Sequence, residues 1–224
     1  MQAHLEFQFG MERLLATPQG ALYWPKADVL IVSDLHLGKS ERMARRGAGL
    51  LPPYDTPETL ARLTEEIATY DPAVVICLGD SFDDLEAARN LSPYLARRLG
   101  PIQAGRKWVW ILGNHDAGPV NLSGEHLDEF ETPPFILRHI ARADLPKGRF
   151  EISGHYHPKM RVALRGRSLS RAAFLMDAQR LILPAFGAYT GGLWADDPAF
   201  AGLLGADAAA IVLGQPPVMI PLKR

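Results

Sequence analysis

The sequence predicts an α/β fold in which two β-sheets pack face to face and helices cover the outside. In the first half of the chain, short apolar runs alternate with helical patterns in the order β–α–β–α–β. In the second half, further apolar runs follow one another with little helical pattern between them, so that some of them are expected to pair antiparallel. A two-sheet sandwich accounts for both observations.

The first half begins with an expected hairpin. Residues 5–9 alternate between apolar and polar side chains, and the turn residues of 18–20 precede a second apolar run at 21–24. Buried strands follow at 29–32, 74–78 and 108–112, because each is a short run rich in apolar side chains that ends in polar residues.

Helices are expected between these buried strands. One begins at Thr56-Pro57, which supply a cap and a first-turn proline, and its apolar stripe is Leu60, Leu63 and Ile67. Residues 83–98 are expected to hold one or two more. The second half is expected to contain strands at 135–137, 150–152, 173–175, 181–183, 210–213 and 218–220.

Length and composition fit one globular domain over residues 1–224, with an apolar fraction of 47%. Basic and acidic residues nearly balance, and the formal net charge is −1. A protein that coats nucleic acid would be strongly basic, so any contact with nucleic acid is expected to be local. No signal peptide and no apolar span of membrane length is seen, and we expect a cytoplasmic protein. The single cysteine, Cys77, is expected to be a buried strand residue.

Metal-ligand residue types follow the predicted strands. In open α/β sheets, functional residues gather in the loops at the carboxyl ends of strands. Residues two apart in an extended segment point the same way. Asp34 and His36 form one such pair, and His155 and His157 form another, so the side chains of each pair are expected to point at one centre. Gly79, Gly113 and Gly154 directly precede Asp80, Asn114 and His155, and glycine permits sharp turns there. The loop residues are Asp34, His36, Asp80, Asn114, His115, Asp116, His139, His155 and His157.

Each of these positions taken alone is more simply explained as a core histidine or a helix cap. Together they favour a metal site, because five of the seven histidines fall in such loops. Mixed carboxylate and imidazole ligands suit Mn²⁺, Fe²⁺ or Zn²⁺. A zinc finger is excluded by the lack of cysteine ligands.

These motifs resemble, in order, the five signature blocks of the calcineurin-like metallophosphoesterases. The resemblance implies a four-layer αββα sandwich of two mixed β-sheets flanked by helices. The blocks are Asp34-Leu35-His36, Gly79-Asp80, Gly113-Asn114-His115-Asp116, His139 and Gly154-His155-Tyr156-His157.

The resemblance also implies a dinuclear site in which Asp80 bridges two metals. One metal would be held by Asp34, His36, Asp80 and His157, and the other by Asp80, Asn114, His139 and His155. His126 is the alternative to His139, but it lies in a polar stretch and not after a predicted strand.

Two cations suit the hydrolysis of a phosphate ester. They neutralise the anionic ester, activate water as the nucleophile, and stabilise the attacking and leaving oxygens. His115 resembles the family's histidine that is not a ligand and acts as general acid, and Asp116 is expected to orient its imidazole. From this complete ligand set together with His115, Mn²⁺ is the expected metal, with Fe²⁺, Zn²⁺ and Ni²⁺ as alternatives.

A closer resemblance covers most of the chain. Residues 34–39 (DLHLGK), 154–159 (GHYHPK) and 183–192 (LPAFGAYTGG) are similar to the bacterial ligase-associated DNA-damage-response endonucleases, the PdeM family. This resemblance implies a DNA phosphodiesterase, functionally associated with a DNA ligase, a helicase and an exonuclease. A homodimer is a further possibility on general grounds.

Local charge is compatible with a DNA substrate. Basic residues follow the first and the last motif, and they represent either phosphate-binding groups or a solvated surface. The candidates for substrate binding are Lys39, Arg42, Lys159 and Arg167. The other members of these clusters are Arg45, Arg46, Arg161, Arg165 and Arg171. The aromatic residues Phe186, Tyr189 and Trp194 are candidates for stacking on bases or for packing.

Two other functions compete with this interpretation. One is another enzyme of the same fold, such as a phosphomonoesterase, a cyclic-nucleotide phosphodiesterase or a nucleotide-sugar pyrophosphatase. The lipid enzyme UDP-diacylglucosamine hydrolase would carry an apolar helical cap, which is not seen here. The other is a non-catalytic metal-binding scaffold, which would be expected to have lost ligands that this chain keeps.

Overall fold

A computed structural model describes residues 3–47, 52–89, 93–116, 118, 122–164 and 166–222. It contains two mixed β-sheets, which confirms the predicted fold class. Arg165, one of the basic residues noted above, lies outside the described residues.

The first sheet has seven strands in sequence order, β1 to β7. Its first four strands pair antiparallel and the pairs from β4 to β7 are parallel. The strands are β1 (Leu5–Phe9), β2 (Glu12–Ala16), β3 (Leu22–Trp24), β4 (Val29–Val32), β5 (Val74–Leu78), β6 (Lys107–Ile111) and β7 (Glu125–Leu127). The helices between them are α1 (Lys39–Arg45), α2 (Asp55–Tyr70), α3 (Leu85–Arg89) and α4 (Pro93–Gln103).

The second sheet has eight strands and is built from the second half of the chain. The strands are β8 (Glu129–Thr132), β9 (Phe135–Arg138), β10 (Phe150–Ser153), β11 (Lys159–Leu164), β12 (Arg167–Met176), β13 (Arg180–Ile182), β14 (Ala209–Val212) and β15 (Val218–Pro221). The order is β15-β14-β12-β13-β10-β9-β8, and β11 pairs with β12. The β9–β10 and β10–β13 pairs are parallel and the others are antiparallel, as the succession of apolar runs indicated.

Apolar packing holds the layers together. Between the sheets, the ring of Phe135 stacks on Phe9 at 5.7 Å and meets Trp24 edge-on at 4.8 Å. The predicted stripe of α2 is buried against the outer face of the first sheet. The outer face of the second sheet is covered by a segment with the 3₁₀ helix Pro198–Phe200, whose Phe200 is buried against strands β12 to β14. The two sheets therefore lie between a helical layer and a largely irregular one.

The predicted N-terminal hairpin is wrong in its pairing. Strand β1 pairs with β2, which the sequence did not indicate, and β2 then pairs with β3. The apolar pattern did not reveal β2, because the charged residue Glu12 occupies a buried position in that strand. Its carboxylate accepts a hydrogen bond from the indole of Trp24 at 3.1 Å and binds Lys26 at 2.6 Å, so a charged residue replaces an apolar one in the pattern.

Two further predictions concern the environment of Cys77 and the possibility of a membrane-spanning helix. Cys77 is buried in β5, and burial raises the pKa of its thiol above the usual range. No helix among the described residues is long and apolar enough to cross a membrane.

Candidate metal centre

Parallel strands bring the predicted site loops to one edge of the molecule. In the first sheet, Val32 pairs with Cys77, so that the loops after β4 and β5 begin side by side. The amide of Asp34 donates to the carbonyl of Gly79 at 3.2 Å, and that of His36 donates to the carbonyl of Asp80 at 2.9 Å. These bonds fix the first two motifs to each other.

The second sheet adds its loops in the same way. Because β9 and β10 are parallel, Arg138 pairs with Ser153, and the residues that follow them meet. The amide of Gly154 donates to the carbonyl of His139 at 3.0 Å. The amide of His155 donates to a carboxylate oxygen of Asp34 at 3.0 Å, which joins the two sheets at the site.

Several site residues have a backbone conformation that side chains rarely adopt. A positive φ costs a residue with a Cβ atom on the order of 1 kcal/mol, and such conformations cluster at functional sites. Five predicted ligands share this conformation. They are Asp34 (φ 54°), His36 (45°), Asp80 (46°), His155 (72°) and His157 (47°).

The three predicted glycines are required for space, and a Cβ atom at Gly79 would collide with the ring of His139. A Cβ atom at Gly113 would collide with the carboxylate and backbone of Asp80. A Cβ atom at Gly154 would collide with the side chains of Ser33 and Asp34. The close approach of these loops therefore depends on the absence of a side chain at all three positions.

The first cluster of ligand atoms is formed by Asp34, His36 and His157. The Nε2 atoms of the two histidines lie 3.3 Å apart. Nε2 of His157 lies 3.1 Å from Oδ1 of Asp34. That oxygen is buried and has no hydrogen-bond partner among the described residues.

The second cluster is formed by Asp80, His139 and His155, and Asn114 lies beside it. Nε2 of His139 is 3.4 Å from Oδ2 of Asp80 and 3.2 Å from Nδ1 of His155. Oδ1 of Asn114 lies 3.1 Å from the same Nε2 atom.

Asp80 lies between the two clusters. Its Oδ2 atom is 3.4 Å from Nε2 of His139 in the second cluster and 4.0 Å from Nε2 of His36 in the first. Its Oδ1 atom accepts a hydrogen bond from the amide of His115 at 2.9 Å. The carboxylate is therefore held by the backbone with one oxygen facing both clusters.

The chemistry of these atoms calls for a cation. Nδ1 of His139 lies 2.8 Å from the carbonyl oxygen of Leu78, which only accepts hydrogen bonds, so Nδ1 carries the hydrogen. In the neutral ring, Nε2 then presents a lone pair to the acceptor oxygens of Asp80 and Asn114. With the ring neutral, these acceptor atoms converge without a hydrogen between them, and a positive charge, either a proton on Nε2 or a metal ion, resolves that conflict. The residues present therefore fit divalent metal ions.

The ionisation of the metal-free protein follows the same pattern. Burial alone would lower the pKa of His139, but the carboxylates of Asp80 and Asp34 raise it to about 8. Burial alone would raise the pKa of Asp80, but His139 and His115 lower it to about 2. Burial and the charge of His139 lower the pKa of His155. A proton on His139 thus occupies the place suited to a metal, and metal binding would displace it.

His115 lies beside the clusters with a different environment. Its Nδ1 atom is 2.8 Å from the carbonyl oxygen of Asp83, so Nδ1 carries the hydrogen and Nε2 is directed toward the site. Nε2 lies 4.0 Å from Oδ2 of Asp80. The side chain of His115 is 32% exposed. The ring is therefore oriented and accessible to a substrate.

The role expected for Asp116 is wrong in this geometry. Its carboxylate accepts backbone hydrogen bonds from Gly113 at 2.9 Å, Ser81 at 2.8 Å and Phe82 at 3.2 Å. These bonds tie the loop after β6 to the loop after β5. The carbonyl of Asp83, and not Asp116, orients the imidazole of His115.

Asp83 is a site residue that the sequence analysis missed. Its Oδ1 atom lies 3.1 Å from Nδ1 of His36, and its side chain is 1% exposed. One residue therefore orients His36 through its side chain and His115 through its carbonyl. Its position three residues after Asp80, in the same loop, was the available signal.

Comparison with known proteins identifies the family. Residues 27–162, which include both clusters, match the family model described as calcineurin-like phosphoesterase. The chain belongs to the calcineurin-like phosphoesterase family. It is therefore a phosphoesterase of a family that uses divalent metal ions. No curated protein matches it.

Two solved structures are similar to this phosphoesterase. The crystal structure of Pseudomonas putida nuclease MPE is 30% identical, with a TM-score of 0.75, over 98% of this chain and 100% of that one. YfcE, a phosphoesterase from E. coli, is 12% identical, with a TM-score of 0.41, over 87% of this chain and 99% of that one.

The four residues predicted to bind substrate differ from one another in their contacts and in their distance from the two clusters. Arg42 and Lys39 both face the carboxylate of Asp83, with Lys39 at 4.0 Å. Lys159 begins β11, two residues after His157, and its ammonium lies over the ring of Trp194. Arg167 is exposed and lies five pairs further along the β11–β12 ladder, about 17 Å from the pair made by Lys159.

The glycine-rich segment 183–192 lines the first cluster. A Cβ atom at Gly187 would collide with the backbone of Asp34 and Leu35, and one at Gly192 would collide with the backbone of His157. Phe186 is buried in the core, which settles its role as a packing residue. Tyr189 is 43% exposed and has a positive φ of 58°.

Proposed function

We propose that this phosphoesterase is a dinuclear-metal phosphodiesterase that cleaves DNA. The observation that carries the dinuclear part is the position of Asp80. One of its carboxylate oxygens faces ligand atoms of both clusters, while the other is held by the backbone of His115. A carboxylate in that position is suited to bridge two cations.

The proposed ligand sets follow from the two clusters. Asp34, His36, Asp80 and His157 would hold one ion, and Asp80, Asn114, His139 and His155 would hold the other. Oxygen and imidazole ligands in this mixture suit Mn²⁺, our proposed metal, with Fe²⁺, Zn²⁺ and Ni²⁺ as competitors. When bound, the two ions would neutralise the phosphate charge and activate water for attack on phosphorus.

His115 would protonate the leaving oxygen. The hydrogen on Nδ1 is committed to the carbonyl of Asp83, so the proton for the leaving group comes from Nε2, which is directed toward the site. Asp83 also faces Nδ1 of His36, which leaves Nε2 of that ring for the metal. The two histidines thus have distinct duties and share one orienting residue.

Two observations support DNA as the substrate. The similar Pseudomonas putida protein is a nuclease, and its likeness extends over nearly the whole of both chains. Lys159 lies two residues after His157 of the first cluster, where it would meet the phosphates of a bound strand. A role in DNA repair, in association with a ligase, a helicase and an exonuclease, is part of the proposal.

The test is an assay of the purified protein with Mn²⁺ and with a chelator. The substrates are bis(p-nitrophenyl) phosphate, p-nitrophenyl phosphate, and single- and double-stranded DNA. We expect metal-dependent cleavage of the diester and of DNA. Turnover of the monoester without the diester would replace the proposal with a phosphomonoesterase, and no metal-dependent turnover of any substrate would favour a scaffold.

The His115→Ala variant tests the division of duties. Removal of a general acid typically lowers turnover about 10²- to 10⁴-fold. The variant is expected to retain both ions, as measured by metal analysis after desalting. Loss of metal in this variant would contradict the proposed role.

A further inference from the structure

We propose that a pocket beside the first cluster binds a nucleobase of the DNA strand that is cleaved. The inference rests on the proposed function and names a part of the substrate. The pocket, here called the Trp194 pocket, has a volume of about 590 Å³. Its walls come from β11, from residues 194–198 and from the C-terminal residues Pro221 and Leu222.

The Trp194 pocket is attached to the loop that carries His157. The amide of Leu193 donates to the carbonyl of Tyr156 at 3.1 Å, and the amide of Lys159 donates back to the carbonyl of Leu193 at 2.9 Å. Gly192 packs against the backbone of His157 with no space for a side chain. Lys159, in the pocket wall, is two residues from His157, so their Cα atoms are at most about 7 Å apart. A group attached to a phosphate at the site would therefore reach the pocket.

The lining suits an aromatic group. Met160, Ala195, Ala201 and Leu222 make much of the surface apolar. The guanidinium of Arg161 lies 4.0 Å from the centre of the Trp194 ring, while the Arg161 side chain stays 54% exposed. A planar cation stacked on an indole offers its outer face to a base, a contact that is common in nucleic-acid recognition.

The charge of the Trp194 pocket argues against a second phosphate as its occupant. The cations Lys159 and Arg161 are balanced by Asp196 and Asp197. Asp196 lies 3.2 Å from Arg161, and Asp197 accepts the amide of Ala199 at 2.9 Å. An uncharged base fits this balanced lining better than a phosphate. Lys159, nearest to the site, remains suited to the backbone of the same strand.

The first test observes binding without catalysis. The protein, labelled with ¹⁵N, is titrated with thymidine 5′-monophosphate and, separately, with deoxyribose 5-phosphate, which lacks the base. We expect the indole resonance of Trp194, assigned with Trp194→Phe, to shift with the nucleotide only. The buried indoles of Trp24, Trp108 and Trp110 serve as internal controls. Equal shifts with both ligands, or none at Trp194, would overturn the proposal.

A second titration, with an oligonucleotide, tests whether the bound base belongs to a DNA strand. Tetrathymidylate is expected to shift the Trp194 resonance at a concentration about tenfold lower than the mononucleotide does, because neighbouring phosphates and bases add contacts. Equal affinity for the two ligands would overturn the assignment to a strand. This titration also requires no turnover, so it succeeds or fails independently of the proposed chemistry.

The kinetic test compares two diesters with the same leaving group. These are the p-nitrophenyl esters of thymidine 5′-phosphate and of methyl phosphate. The wild type is expected to prefer the nucleoside ester about tenfold in kcat/KM through stacking. That ratio should fall toward one in Trp194→Ala and in Arg161→Gln. Two variants are used because Trp194→Ala also removes packing beside the His157 loop.

A matched control is available on α4. Tyr94 and Arg98 form a similar exposed pair, with the guanidinium 5.5 Å from the ring centre, outside the Trp194 pocket. Tyr94→Ala is expected to keep the wild-type ratio. A fall in the ratio for Tyr94→Ala, or an unchanged ratio for both pocket variants, would contradict a base-binding role.

Discussion

The two basic segments that flank the candidate metal centre differ in the partners of their charged side chains. In the segment 39–46, Arg42 and Lys39 face Asp83, and Arg45 binds Asp84 at 2.8 Å. In the segment 159–171, Lys159 and Arg161 lie over Trp194, and Arg161 also binds the exposed carboxylate of Asp196 at 3.2 Å. Arg167 is exposed. The cations of the first segment are bound to carboxylates of the loop after β5, whereas Arg161 and Arg167 of the second segment are exposed at the surface. Similar runs of charge in a sequence therefore differ in their availability to a substrate.

Of the changes that compare these two segments, the largest expected effect comes from removing Asp83, the carboxylate that Lys39 and Arg42 face. Asp83→Ala deprives His36 of its orienting partner and leaves Arg42 without its buried counter-charge. Loss of such a partner of a metal ligand lowers metal affinity about 10- to 100-fold. Calorimetric titration with Mn²⁺ measures the change. Asp84→Ala, which removes the same charge from the adjacent position, is the control, and equal losses in both variants would refute the role of Asp83.

The carboxylate of Glu66 is a second buried carboxylate, which can be compared with that of Asp83. Glu66 in α2 is fully buried, and neither oxygen has a hydrogen-bond partner among the described residues. Burial raises its pKa to about 7, while Thr17 and Arg62 offset this only in part. The folded state therefore binds a proton more tightly than the unfolded state, whose pKa is about 4.3. Stability is expected to fall as pH rises between these two values.

Glu66→Gln removes this dependence. The variant should be more stable than the wild type at pH 8 by about 1–3 kcal/mol, with little difference at pH 4. Urea unfolding at the two pH values measures the difference. Glu65→Gln, at an exposed position of the same helix, should show no such pH dependence. A gain for Glu66→Gln that is equal at both pH values would contradict the explanation.

The smallest expected effect is on the salt dependence of DNA binding. Lys159→Gln should reduce the slope of log K against log salt concentration by about 0.7–0.9, the contribution of one phosphate contact. Arg45→Gln, which removes a charge bound to Asp84 in the first segment, should leave the slope unchanged. Fluorescence anisotropy over a series of salt concentrations checks both values. Equal slopes for the two variants would remove the distinction between the segments.

Much of the fold was predictable because its signals are local. The apolar runs before Asp34, Asp80 and Asn114 indicated buried strands, and the rule for strand ends then placed these residues together. Strands β2, β7, β8 and β11 were missed, because charged or polar residues interrupt an apolar pattern in each of them. These residues are Glu12 in β2, His126 in β7, Glu129 and Glu131 in β8, and the basic residues of 159–164 in β11. His126 itself lies in β7 and belongs to neither ligand cluster.

The finer features of the site were not predictable from residue types. Asp83 and Asp116 are both carboxylates near a histidine in sequence, yet Asp83 orients histidines while Asp116 binds backbone amides. The difference depends on the turn that each loop makes, which three-dimensional contacts determine. The positive φ angles of Asp34, His36 and Asp80 arise in the same way, because bonds between loops hold a conformation that local preference opposes.

The position of Asp80 between the clusters is tested most directly by an anomalous-scattering map of crystals grown with Mn²⁺. We expect two peaks per chain, separated by about 3.5–4 Å, with the carboxylate of Asp80 in contact with both. One peak beside Asp34 and His157 should be joined by another beside His139 and His155. A single ion, or two ions that do not share Asp80, would contradict the dinuclear site.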